Sequence, residues 1–175
     1  MRDRKVQERM RGRKTALYGL LVALALVLSY VEAQIPAFFV VPGMKLGLTN
    51  VVVLAALYRL GGRDALILNL VRIVLVAFTF GNLFSMLYSL AGGILSFLAM
   101  AAGKKSGKFS IVGVSVLGGV AHNIGQILVA MAVLENRNLA WYLPFLLASG
   151  LGAGVLVGVV GGQLVKRLPA WDGAR

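Results

Sequence analysis

The chain has 175 residues, of which 59% are hydrophobic and only 14% are charged, and its mean hydropathy is +0.85. Soluble domains carry roughly 25% charged residues, so this composition excludes an ordinary water-soluble enzyme. The chain has no cysteine, which excludes disulfides, thiolate metal sites and cysteine nucleophiles. One histidine and six acidic residues leave little material for a metal site or a catalytic carboxylate pair.

The net charge of +12 comes from the placement of 18 Lys and Arg residues against six Asp and Glu. Seven of the basic residues lie in the first 14 positions, and most others form short clusters between apolar runs. Such clusters mark the cytoplasmic loops of membrane proteins. The charge therefore predicts a membrane topology, and we expect no nucleic-acid partner.

The apolar runs predict an all-α integral membrane protein, a bundle of six transmembrane helices that contacts the lipid bilayer, because about 20 apolar residues cross a bilayer. The predicted spans are residues 15–32, 46–60, 65–79, 83–102, 110–134 and 141–166. Both termini are expected in the cytoplasm, since this arrangement places 15 of the 18 basic residues on that side. We expect the first run to be a retained span rather than a cleaved signal peptide.

The predicted spans divide the chain into three regions. Residues 1–14 form a basic cytoplasmic segment, residues 15–167 form the membrane domain, and residues 168–175 form a cytoplasmic tail. Between the second and third spans, a Gly-Gly turn precedes Asp64, which is expected to cap the third helix.

The segment between the first two spans, residues 33–45, is apolar but interrupted by Pro36 and Pro42. Both a lid over a pocket and an interfacial anchor are compatible with this pattern. Phe38, Phe39 and Gly43 lie in the same segment. Glycines here allow tight turns or a close approach of the backbone to a ligand.

Four ionisable residues fall at or within the predicted spans, namely Glu32, Lys45, Arg72 and His122. Such groups are costly in a membrane and usually face the bundle interior, a cavity or each other. Their polar neighbours extend the set. The predicted ligand-binding residues are Lys45, Thr49, Asn50, Arg72, His122, Asn123 and Gln126.

Two interpretations of these residues remain open. In one, Arg72 and Glu32 form a structural ion pair and His122 bonds a backbone carbonyl. In the other, Lys45, Arg72 and His122 face an anionic small-molecule ligand in a pocket open to the outside, with Arg72 as a planar fork for a carboxylate or phosphate. Two cations against one carboxylate leave excess positive charge that an anion would balance.

Small residues at helical spacing predict close helix packing. Gly19 and Ala23 form such a pair on the first span. This pair is suited either to packing within the chain or to docking the helix of a partner.

Four motifs together resemble a known family: Pro42–Asn50, the span around Arg72, Ser89–Gly93 and Gly118–Gln126. They are similar to the bacterial Gx transporters, which are often labelled heptaprenyl diphosphate synthase component I. This family groups with the S components of energy-coupling factor (ECF) transporters. The resemblance covers nearly the whole chain after residue 14.

The resemblance implies a multi-pass protein of the bacterial cytoplasmic membrane that binds a vitamin-like, anionic or isoprenoid-related solute for uptake. S components bind their solute with the first loop and the outer halves of later helices. They dock through small residues of the first helix, here Gly19 and Ala23, on a transmembrane coupling subunit that two ATPases drive. The chain itself has no phosphate-binding loop ending in Gly-Lys-Ser/Thr, so energy would come from such partners.

Two alternative functions remain. Known polyprenyl diphosphate synthases hold Mg²⁺ with Asp-rich motifs, whereas Asp3, Asp64 and Asp172 are not clustered. We therefore expect no enzymatic activity, and a non-catalytic membrane helper of polyprenyl diphosphate synthesis is one alternative. The other is a membrane accessory of an electron-transfer system, with a bound quinone or flavin. No cofactor and no metal are expected otherwise.

Overall fold

A computed structural model describes residues 2–34, 45 and 47–169 of the chain. These residues form six α-helices and one 3₁₀ turn, Arg137–Tyr142, which precedes the last helix. The helices are α1 (Arg2–Gln34), α2 (Asn50–Arg59), α3 (Gly62–Thr79), α4 (Leu83–Ser106), α5 (Ile111–Val133) and α6 (Leu143–Arg167). The described part contains no strand, in agreement with the predicted all-helical fold.

Every predicted span coincides with a helix, although most boundaries shift by one to four residues and the start of α1 shifts by more. α1 is continuous from Arg2 across residue 14, where the first span was expected to begin. α2 begins at Asn50 rather than at residue 46. The proposed lid or anchor, with Pro36, Phe38, Phe39, Pro42 and Gly43, and the tail from residue 170 lie outside the described residues.

Four stretches of the described chain are long and apolar enough to cross a membrane. They are Gly12–Gln34, Leu83–Ser106, Ile111–Val133 and Arg137–Arg167. α2, with 10 residues, is about 15 Å long, half the roughly 30 Å of a bilayer core. α3 has 18 residues but carries Arg63, Asp64 and Arg72. The structure therefore supports a multi-pass membrane protein, while the count of six spans and the side of the termini stay predictions.

α2 occupies the middle of the bundle. All seven residues from Val51 to Leu57 are buried, and α2 contacts each of the other five helices. At its far end, Lys104 Nζ donates to the Leu57 carbonyl at 2.8 Å, and Arg59 Nε donates to the Val165 carbonyl at 2.5 Å. Cationic side chains thus satisfy the last carbonyls of α2 and α6.

α5 packs against α4 on one side and α6 on the other, and these are the most extensive helix contacts in the structure. A Cβ atom added at Gly125 would lie 2.7 Å from the Ala91 carbonyl oxygen of α4. A Cβ atom added at Gly154 of α6 would lie 2.6 Å from Val116 Cα of α5. The backbones meet because glycine leaves no side chain between them, which is how membrane helices pack closely.

The prediction that Asp64 caps α3 is wrong. α3 begins at Gly62, and Asp64 lies in its first turn, where its carboxylate meets Lys14 Nζ at 2.7 Å. Burial acts to raise the pKa of Asp64, but hydrogen bonds from Lys14 and Tyr18 and the charges of Lys14 and Arg63 together lower it below its usual value. Asp64 therefore links α3 to α1 instead of capping the start of α3.

Large apolar side chains cover much of the outer surface of the described bundle. Phe78 and Trp141 are each 85% exposed, and Leu20, Phe145 and Leu156 are more than half exposed. Soluble monomers rarely show so much contiguous apolar surface. This surface is suited to contact with lipid.

Candidate functional site

Glu32, near the end of α1, binds the beginning of α2. One carboxylate oxygen accepts the backbone N–H groups of Gly47 at 2.5 Å and Leu48 at 3.2 Å. The other accepts the Thr49 hydroxyl at 3.2 Å. A carboxylate at a helix N-terminus also meets the positive end of the helix dipole. Glu32 therefore positions the segment that enters α2.

Arg72 lies in the middle of α3 and is only 4% exposed. Its Nε and Nη2 atoms donate to Asn69 Oδ1 at 3.1 and 2.9 Å. Asn69 in turn donates to the Gly93 carbonyl of α4 at 3.1 Å. The guanidinium is thus held by a neutral amide that is itself bound to the next helix.

The ion pair between Arg72 and Glu32, one of the two interpretations of the sequence, is not formed as a direct contact. The ion pair found among the described residues joins Lys14 to Asp64. Both oxygens of Glu32 bond to the entry to α2, so Glu32 acts on Arg72 through its charge and not through a hydrogen bond. Arg72 therefore has no carboxylate partner in the part of the chain that the structure describes.

Gln126 joins His122 to Lys45. With its amide oriented to satisfy every neighbour, Gln126 Oε1 accepts from His122 Nε2 at 3.1 Å and from the Lys45 backbone N–H at 3.2 Å. Its Nε2 donates to the Lys45 carbonyl at 3.1 Å. His122 and Gln126 thus share one face of α5, as their spacing predicts. Through its hydrogen bonds to the Lys45 backbone, Gln126 holds the segment before α2 against this face.

The His122 ring fits between two glycines. A Cβ atom added at Gly47 would lie 3.2 Å from His122 Cδ2, and one added at Gly92 would lie 3.0 Å from His122 Cε1. Gly47 also has a φ of +83°, which side-chain-bearing residues rarely adopt. The ring is 3% exposed, and its Nδ1 has no hydrogen-bond partner.

Asn50 and Asn123 bond to neighbouring helices through the NH₂ groups of their side-chain amides. Asn50 Nδ2 donates to Ser96 Oγ of α4 at 3.1 Å. Asn123 Nδ2 donates to the Leu146 carbonyl of α6 at 2.6 Å and to Ser149 Oγ at 3.3 Å. The Oδ1 atoms of both residues are buried without a partner. These two residues therefore stabilise the bundle and still present free acceptors.

A narrow cleft lies beside these acceptors, between α2, α5 and α6. Its lining residues are Gly47, Asn50, Ser115, Gly119, Ala153, Gly154 and Val157. In the described structure this cleft leaves no room for a water molecule. Asn50 Oδ1 and Ser115 Oγ, both without a partner, belong to residues that line it.

Among the predicted ligand residues, the structure joins Lys45, His122 and Gln126 by hydrogen bonds, whereas the side-chain hydrogen bonds of the other four are to residues outside the set. Lys45 and Gln126 meet directly, Thr49 binds Glu32, and Arg72 is held by Asn69. Sequence reasoning missed Ser96 and Ser149 as hydrogen-bond partners, because a serine in an apolar helix carries no distinctive pattern. The described residues contain no group of three His, Asp or Glu side chains that would hold a metal ion.

Gly19 and Ala23 both lie on the exposed side of α1. A Cβ atom added at Gly19 would meet nothing within 4 Å. The buried face of α1 is formed by Leu17, Leu21 and Ala25 instead. The small pair is therefore not used for packing within the described chain.

Comparison with known proteins identifies the family. No curated protein and no solved structure matches the chain significantly. The family described as heptaprenyl diphosphate synthase component I matches residues 21–164, a range that contains Glu32, Arg72 and His122. Because the match covers most of the chain, the chain belongs to the heptaprenyl diphosphate synthase component I family.

Proposed function

We propose that this chain is a non-catalytic membrane subunit that binds an anionic small molecule at the Arg72 cluster, defined here as Lys45, Arg72, His122 and Gln126. The observation that carries the proposal is a buried guanidinium whose described partner is a neutral amide. A buried charge that no directly bonded carboxylate neutralises costs free energy, and charged groups within membrane helices usually mark ligand or ion sites. A bound anion would supply the missing negative charge.

The four residues of the cluster have distinct roles in this proposal. Arg72 would hold a carboxylate or phosphate with its planar fork, and Lys45 would add a point charge. His122 donates through Nε2 to Gln126, so Nδ1 is left as an acceptor for a ligand N–H or O–H. Asn50 and Asn123 would offer their free Oδ1 atoms to further ligand donors.

Binding at this site requires a conformational change in the entry segment of α2, which comprises Lys45 and residues 47–49 in the described structure. Contacts of Glu32 with Gly47 and of Gln126 with Lys45 close the described structure around the cluster. Lys45 and Gly47 would have to move away from Gln126 and Glu32 to admit the solute. Uptake would then need a transmembrane coupling subunit and its ATPases, for which the exposed pair Gly19 and Ala23 is the proposed docking surface.

Native mass spectrometry of the gently extracted protein tests this proposal. Wild type is expected to retain a small anionic molecule that Arg72→Gln loses and Arg72→Lys holds more weakly, because lysine lacks the bidentate fork. Arg63→Gln, at the exposed start of the same helix, is the matched control and should retain the molecule. Retention by a folded Arg72→Gln variant would overturn the proposal.

The hydrogen-bonding part of the site is tested separately. In a His122→Phe, Gln126→Leu double variant, affinity for the retained molecule should fall at least about tenfold, which corresponds to about 1.4 kcal/mol. Thermal unfolding of the same variant shows whether it remains folded. Unchanged affinity in the folded fraction would remove these two residues from the binding site.

A second candidate function is favoured by the family description, which names a component of heptaprenyl diphosphate synthase. In this case the chain would assist a catalytic prenyl transferase subunit without performing the chemistry. Co-expression and affinity purification with such a subunit tests the idea. A stable complex whose product length changes when this chain is omitted would favour it over solute uptake.

A further inference from the structure

A second site lies away from the Arg72 cluster, in a groove between the beginning of α5 and the last turns of α6. The groove encloses about 330 Å³. Its walls and floor are apolar or small, formed by Ile111, Val112, Gly158, Val159 and Gly162. Its polar end contains Ser110, Gln163 and Lys166. An apolar groove that ends beside a cation has the shape and charge expected of a site for an anionic lipid.

Lys166 is the charged residue of this groove. It is exposed and has no partner among the residues that the structure describes. Lys14 pairs with Asp64 and Arg59 donates to the Val165 carbonyl, so neither of these two cations is free to share an anion in the groove. The Asp64 carboxylate is paired with Lys14 rather than with Lys166, so Lys166 is available to an anion that is not part of the described residues.

The position of the groove favours a phospholipid as the source of that charge. Next to it, the outward side of α6 exposes Val155, Leu156 and Val160, a surface suited to acyl chains. The groove also begins at the first turn of α5, whose backbone N–H groups carry partial positive charge. In the predicted topology this end lies in the cytoplasmic leaflet, where basic pockets between helices bind anionic head groups.

We infer that the α5–α6 groove binds an anionic phospholipid, with an acyl chain along Ile111 and Val159 and the phosphate beside Lys166. This site is independent of the Arg72 cluster. Its role is to hold one lipid at the junction of the two helices that make the closest glycine contacts of the bundle.

Delipidated full-length protein, titrated with phosphatidylglycerol or phosphatidylcholine of identical chains, tests this inference by native mass spectrometry. Wild type should retain phosphatidylglycerol preferentially. Lys166→Gln should lower that retention about fivefold, the effect of one basic residue near an anionic lipid surface. Lys105→Gln is the matched control, since Lys105 is exposed at the same end but does not line the groove.

A second pair of variants tests the groove itself. A Cβ atom added at Gly162 would lie 3.8 Å from Ile111 Cγ2, so Gly162→Leu fills the groove without a backbone clash. Gly152→Leu on the same helix, where nothing lies within 4 Å of an added Cβ, is the control. Only the Gly162 variant should lose the lipid.

Three results would overturn the inference. They are equal retention of the two lipids by wild type, an equal loss in Lys105→Gln and Lys166→Gln, and full retention in Gly162→Leu. Displacement of the lipid by inorganic phosphate would also contradict it, because the site would then be one for a free anion.

Discussion

Replacing Glu32 with glutamine tests how the entry to α2 is held. The carboxylate accepts three hydrogen bonds, from Gly47, Leu48 and Thr49. Hydrogen bonds to a charged group contribute about 1.5–3 kcal/mol and neutral ones about 0.5–1.5 kcal/mol. Glutamine keeps one oxygen for the two backbone donors but presents an NH₂ group to Thr49. We therefore expect a loss of about 1–3 kcal/mol in the free energy of unfolding.

The assay is thermal unfolding in a single detergent. For a chain of this size, about 1 kcal/mol shifts Tm by about 2–4 °C, so Glu32→Gln should unfold several degrees below wild type. Glu135→Gln is the matched control, because Glu135 is exposed in the turn after α5. Thr49→Val removes one of the three bonds and should cost about 1 kcal/mol alone but less in the Glu32→Gln background, where the Thr49 hydroxyl would accept from a neutral NH₂ group instead of donating to a carboxylate.

Two outcomes would refute this reasoning. One is an unchanged Tm for Glu32→Gln, and the other is full additivity of Glu32→Gln and Thr49→Val. If Arg72→Gln restored the stability of Glu32→Gln, the direct ion pair between Glu32 and Arg72 would be the better description.

Three further predictions concern the topology and packing. Reporter fusions after Arg175 and within residues 135–138 should report opposite sides of the membrane, and a common side would refute the six-span topology. Gly154→Ala should lower Tm, because the added Cβ would lie 2.6 Å from Val116 Cα. Gly152→Ala is the control and should be neutral or stabilising. Equal effects of the two variants on Tm would contradict the packing of α5 on α6. Asp64→Asn should cost up to about 1 kcal/mol at pH 7. The pKa of Asp64 is lowered in the folded protein. The stability difference between wild type and Asp64→Asn should therefore be present above about pH 4 and vanish as the pH falls through the folded pKa. Tm measured against pH checks this prediction.

Much of the secondary structure and the family follow from the sequence by itself. Apolar runs separated by turn residues locate each helix, since burial of a helix in lipid requires about 20 apolar residues. The Gly-Gly turn at Gly61 marks the start of α3, as predicted. The structure adds the caps Asn82 and Ser110, which accept from Ser85 N and Gly113 N. The motifs around Arg72 and His122 pointed to the family that the comparison shows.

Only the tertiary structure decided which polar groups meet. Helical periodicity places His122 and Gln126 on one face of α5, but it does not say that Lys45 would lie against that face. Similarly, Glu32 and Arg72 have opposite charges, yet Glu32 bonds to the N-terminus of α2, which offers it three donors. The order of residues determines which side chains share a face of a helix. Which residues of other helices those side chains contact depends on how the helix backbones pack, and glycines far apart in the chain set that packing.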